Sequence, residues 1–158
     1  MAEPPSETMA RASIEIAAPP EKVYDLVVDV SHMGQWSPEA TGTIGHPRPL
    51  RVGSRFWGLN RKGVWRWFTL CTVRAAERGV KFEFDVDFWP AGVSRWTYDF
   101  CRTPTGCEVT ETWEDRRKGL RSLPIEMVGQ VMIPGPRARH NQWSIETTLL
   151  RLKAAAEE

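Results

Sequence analysis

Glu111 is the residue in this chain best suited to doing chemistry, because its strand places it among aromatic side chains. In Cys107-Glu108-Val109-Thr110-Glu111-Thr112-Trp113-Glu114-Asp115, alternation sets Val109 and Trp113 on one side and Glu108, Thr110, Thr112 and Glu114 on the other. Glu111 falls on the tryptophan side. A carboxylate in an apolar interior is costly unless it is hydrogen-bonded, paired with a cation or wetted. Burial also raises its pKa towards neutrality, where it can serve as a general acid or base. The same parity brings Tyr98, Asn60 and Thr69 to that interior. Tyr98 or Asn60 would then polarise a carbonyl as it becomes an enolate, which suits aldol cyclisation, dehydration or isomerisation. Two other readings stay open: a bulge near Glu111 that turns its side chain to solvent, and a buried Glu bonded to tryptophan N–H groups and an Asn that merely fixes strand register.

The parity rests on three consecutive strands between Gly79 and Asp115. Val80–Phe88 sets Phe82, Phe84, Val86 and Phe88 against an all-charged odd set from Lys81 on, and Val93–Phe100 sets Trp96, Tyr98 and Phe100 against Arg95, Thr97 and Asp99. Further strands are predicted over Arg11–Ala17, Thr41–Gly45, Gly53–Arg61 and Val64–Arg74. In the last two, the charge-free sets turn Phe56, Asn60, Trp67, Thr69 and Cys71 inward. Pro19-Pro20-Glu21 opens a helix with the apolar stripe Val23, Tyr24, Leu26, Val27 and Val30, and a second short helix runs to Trp36, where Ser37-Pro38 stops it. Arg116-Arg117-Lys118-Gly119 reads as a solvated basic turn, and Leu120–Val131 as a short helix or ordered loop. Arg137–Ala156 is a long helix with Ile145, Leu149 and Leu152 on one line and Trp143 and Leu150 on another. Strands that curl with one wet face need that helix to close their concave side. The expected pocket wall is therefore Phe56, Trp67, Thr69, Phe84, Trp96 and Trp113, with Met127, His140 and Trp143 contributed from the covering side.

With 158 residues, the chain suits one domain over residues 11–156, preceded by a disordered segment over residues 1–10. Its 21 Lys plus Arg against 20 Asp plus Glu give a formal charge of +1, which offers no field for a polyanion. Nucleic acid and anionic membrane are disfavoured as partners. Three cysteines, Cys71, Cys101 and Cys107, lack metal-ligand spacing and fit a reducing cytoplasm. His32, His46 and His140 are equally scattered, so no metal and no cofactor are expected. No apolar run reaches the ~20 residues of a spanning helix. Eight tryptophans suit either a solid core or the walls of a pocket for flat, apolar ligands.

The sequence resembles the helix-grip proteins of the START and birch-pollen-allergen type, the SRPBCC superfamily, and within it the bacterial polyketide cyclase/dehydrase-like branch. The likeness is carried by Ile14-Glu15-Ile16-Ala17-Ala18-Pro19-Pro20-Glu21-Lys22-Val23-Tyr24, Trp36-Ser37-Pro38, Val52-Gly53-Ser54-Arg55-Phe56, Val109-Thr110-Glu111-Thr112-Trp113 and Leu149-Leu150-Arg151-Leu152-Lys153. The resemblance implies an α+β helix-grip fold: a seven-stranded curved antiparallel sheet wrapped around a long C-terminal helix, with two short helices between strands 1 and 2 and a hydrophobic cavity inside. These motifs specify the fold and leave the activity open. The first expectation is a monomer or homodimer that binds an apolar, aromatic or polyketide-like molecule. The second is a cyclase or dehydratase using Glu111 with Asn60 and Tyr98. The third is an interaction module like the chaperone-activating branch, working through the outer face of the sheet.

Overall fold

The computed structural model describes residues 4–45, 47–88, 91–117, 123–124, 127 and 136–158. Seven strands form one antiparallel sheet in the order β1-β7-β6-β5-β4-β3-β2. They are β1 (Met9–Ile16), β2 (Ala40–Ile44), β3 (Arg55–Lys62), β4 (Trp65–Glu77), β5 (Lys81–Phe88), β6 (Ala91–Thr103) and β7 (Gly106–Asp115). Between β1 and β2 lie α1 (Pro20–Val28), a 3-10 turn (Val30–His32) and α2 (Met33–Trp36), and α3 (Arg137–Glu157) follows the sheet. This is the helix-grip arrangement that the resemblance implies, with the terminal helix closing the concave side of the curled sheet. Most of Leu120–Val131, together with Pro134, Gly135 and His46, lies outside the described residues.

Each strand turns its uncharged set to the helix. Phe56, Val73, Phe82, Phe84, Phe100, Val109 and Trp113 are buried there together with Ile145, Leu149 and Leu152 of α3. The helix is also tied to the edge strand β1. The Gln142 side-chain amide both donates to the Arg11 carbonyl oxygen and accepts from its N–H. Lys153 Nζ donates to the Glu15 carbonyl oxygen, and Glu157 accepts from the Ala17 N–H. These bonds occupy backbone groups that an uncovered edge would offer to another chain. β1 begins at Met9, two residues before the expected Arg11, because Ala10 is buried opposite Trp113.

Two irregularities depart from simple alternation. A register shift between Val86 and Asp87 gives β6 an extra residue, Val93, and ends the pleat of β5, so Phe88 is 43 % exposed where it was expected inside. On the outer face, Asp85 is completely buried although its neighbours in the sheet are charged. Arg74 Nε and Arg95 Nε each donate to it at 2.7 Å, and Arg116 lies 3.4 Å away. Burial penalises the Asp85 charge, but the hydrogen bonds of Arg95 and Arg74 and the charge of Arg116 outweigh it and hold its pKa below the usual value. Arg116 also reaches Asp87, and Arg117 pairs with Asp115. This corrects the expectation of a solvated basic turn at Arg116-Arg117: both arginines bind carboxylates at the sheet margin.

Asp85 thereby clamps β4, β5 and β6 on the face opposite the cavity. Replacing it with Asn keeps the shape and removes the charge that three half-exposed guanidiniums surround. Asp85→Asn is expected to lower stability by about 2–3 kcal/mol, less than for a fully buried pair because the arginines remain partly hydrated. Urea denaturation at pH 7 measures this, and an unchanged midpoint would show that the clamp contributes nothing.

Candidate functional site

Glu111 and Tyr98 are directly opposed residues of β7 and β6. With both side chains inward, the Tyr98 hydroxyl donates to Glu111 Oε1 at 2.7 Å. Glu111 is only 1 % exposed, so the bulge that would have released it to solvent is absent from β7. Burial drives the Glu111 pKa up to about 8, and the hydrogen bond from Tyr98 offsets this only in part. Burial, and then the charge of Glu111, likewise push the Tyr98 phenol above its ordinary value. At neutral pH the pair is therefore a carboxylic acid beside a phenol. Its carbonyl oxygen takes the Tyr98 proton bond, and its O–H is left over: Glu111 Oε2 has no partner among the described residues.

Glu111 and Tyr98 both line a cavity of about 110 Å³. Of the expected wall, Phe56, Asn60, Trp67, Thr69, Phe84, Trp96, Tyr98 and Glu111 line it. Asn60 Nδ2 donates weakly, at 3.4 Å, to the Gly58 carbonyl oxygen and to Thr69 Oγ1 on β4. Cys71 also lines the wall, with its thiol pushed up to about 12 by burial, which leaves it protonated and inert.

Four expected wall residues lie elsewhere. Trp113 is 2 % exposed but packs into the core without bordering the void. Met127 is 71 % exposed; apolarity alone gave it no inward face, since no periodicity fixes its segment. His140 and Trp143 flank the buried stripe of α3 and line a separate outer cleft of about 240 Å³. His140 is drawn there by polar partners: Lys62 Nζ stands 3.1 Å from its Nδ1, and its Nε2 is 3.2 Å from Glu39 Oε2.

Trp36, Glu39, Ser94, Arg137, Ser144 and Thr148 also line the inner cavity, although none is among the expected wall residues. Trp36 and Glu39 sit around a helix stop without periodicity, and Arg137 starts α3. Ser94 does share the parity of Trp96 and Tyr98, the one signal available. Trp36 Nε1 is buried with no partner among the described residues, like Glu111 Oε2. Arg137 donates to Glu39 Oε1 at 2.9 Å. Burial works against the Glu39 charge, but the His140 hydrogen bond and the Arg137 charge outweigh it and keep its pKa below the usual value.

A model of the family described as "Polyketide cyclase / dehydrase and lipid transport" matches residues 8–157. The chain belongs to that family. No curated protein matches it. Among solved structures, a polyketide-cyclase-like protein of Corynebacterium glutamicum is 28 % identical, with a TM-score of 0.65, over 97 % of this chain and 93 % of its own. A protein of Chromobacterium violaceum shares 16 % identity with a TM-score of 0.69, over 96 % of this chain and 99 % of its own. The di-domain ARO/CYC of the steffimycin biosynthetic pathway shares 13 % identity with a TM-score of 0.69, over 96 % of this chain and 51 % of its own. These two likenesses speak to the fold alone. Among the described residues, no cluster of three or more His, Cys, Asp or Glu side chains could hold a metal, and no helix is long and apolar enough to cross a membrane.

The raised pKa of Glu111 has a thermodynamic signature. The folded protein keeps this proton to about pH 8, whereas an unperturbed carboxyl loses it near 4.5. The contribution to stability is therefore complete below about pH 4.5 and is lost as pH rises towards 8. Glu111→Gln, which cannot ionise, is expected to remove this loss. Between pH 5 and 8.5 the Tm of the wild-type protein should fall by about 5 °C or more relative to the variant. Parallel Tm profiles would show that Glu111 ionises as readily folded as unfolded.

Proposed function

We propose that this protein binds a small apolar molecule bearing a carbonyl or hydroxyl oxygen in the cavity between sheet and helix, with protonated Glu111 donating to that oxygen. The observation that carries this reading is that Glu111, whose Oε2 has no partner among the described residues, lines a cavity rich in aromatic side chains. A buried donor is costly without an acceptor, and a ligand oxygen would supply one on binding. Trp36 also lines the cavity, and its Nε1–H, likewise without a partner among the described residues, adds a second donor for an oxygen-bearing ligand.

The size of the void narrows the ligand. At about 110 Å³ it is well below the ~300–1000 Å³ of drug-sized sites, and it is of the order that accommodates a single aromatic ring. The family's description, with its cyclases and lipid carriers, fits an aromatic or polyketide-like occupant. A cavity lined by two residues with unsatisfied polar atoms argues for this site over the outer face of the sheet as the working surface. The exposed Trp57–Phe68 pair on that face is the feature an interaction module would use.

A cyclase or dehydratase is the second reading, favoured by a pKa near 8, which allows Glu111 to give and take a proton around neutrality. Here Tyr98 holds the acid in place instead of polarising the substrate, because its hydroxyl is already bonded to Oε1. Acetophenone and ethylbenzene, titrated by NMR at pH 7, separate hydrogen bonding from apolar fit. The wild-type protein should prefer the ketone by about tenfold, a typical hydrogen-bond increment. Glu111→Gln, whose amide still donates, should keep that preference, and Glu111→Leu should lose it. Equal affinity for the two compounds would remove the proposed donor. For an enzyme, Glu111→Gln should keep binding and lose about 100-fold or more in turnover.

A further inference from the structure

The outer cleft that holds His140 and Trp143 carries chemistry of its own. Glu39, the carboxylate on its wall, is already committed to Arg137 at 2.9 Å and His140 at 3.2 Å. Lys62 can only donate, so at 3.1 Å it places a proton towards the lone pair of His140 Nδ1. Nε2 is then the ring nitrogen that faces Glu39. Lys62 keeps further N–H donors, and Arg61 spends only its Nε–H, on the Gly63 carbonyl oxygen. Neither cation pairs with a carboxylate among the described residues, and both line the cleft.

Beside these cations stands Trp143, 53 % exposed, with its ring 5.7 Å from that of His140 at an interplanar angle of 42°. A flat apolar plate next to a cation with donors to spare is complementary to a planar ring that carries a negative charge. We propose that this cleft, of about 240 Å³, is a second binding site that takes an aromatic carboxylate, its ring against Trp143 and its carboxylate on Lys62. The site is separate from the Glu111 cavity and shares only Glu39 with it as a wall. It requires neither the ionisation of Glu111 nor any occupant of the inner void.

The test compares 2-naphthoate with the uncharged 2-naphthamide by amide and indole NMR titration at low salt. The wild-type protein should bind naphthoate at least threefold more tightly, with shifts at Gly63 and at the Trp143 indole. Lys62→Gln should abolish the preference for the anion, and Trp143→Ala should weaken both compounds. Glu111→Gln should leave naphthoate affinity unchanged, so failure of the inner-cavity reading would not mimic failure here. Lys62 and Trp143 lie at the cleft surface, and the remaining amide spectrum of each variant reports that the fold is kept. Equal affinity for the two compounds, an unchanged preference in Lys62→Gln, or shifts confined to inner residues such as Trp96 and Tyr98 would overturn the proposal.

Discussion

The Tyr98–Glu111 hydrogen bond is the constraint on which the rest of the site depends. It joins two residues paired across adjacent strands, so it exists only if β6 and β7 keep both the register and the face that the crystal-like alternation of their side chains dictates. A one-residue slip would turn Glu111 out and bring Thr110 or Thr112 in. With the register held, burial sets the protonation state, and the protonation state decides which atom is left for a ligand. The phenol takes one oxygen of the acid, and the other is left without a partner among the described residues.

The two faces of the sheet solve opposite electrostatic problems. Inside, Glu111 is kept neutral because no cation pairs with it among the described residues, and burial raises its pKa. Outside, Asp85 is just as buried but stays ionised because three arginines converge on it. Both are carboxylates in strands, and their contrasting neighbours give one a proton and the other a charge. The outer clamp holds β4, β5 and β6 together, and these strands carry much of the cavity wall, so rigidity on one face supports shape on the other.

Much of this was legible in the chain. Period-two alternation in β5, β6 and β7 placed Phe82, Phe84, Trp96, Tyr98 and Glu111 on the inner face, because a half-buried strand leaves that trace directly in residue order. What escaped the sequence was whatever depends on contacts between distant segments. The burial of Asp85 needs arginines from β4, β6 and the end of β7, and nothing in its own strand separates it from Glu83 or Asp87. His140 and Trp143 were assigned to the cavity because α3 must cover it, but the pull of Glu39 and Lys62 turns this flank of the helix outward. Glu39 lies in a loop with no period to read. Trp113 showed the limit of parity itself: it gives the face of a residue, and being inside does not make a side chain part of the void.

The most direct test of the central claim is an NMR titration of the Glu111 side-chain carboxyl carbon, assigned by comparison with Glu111→Gln. The account predicts a single midpoint near pH 8, with the proton still in place at pH 7. A midpoint near the ordinary 4.5 would show a solvated carboxylate and contradict the account.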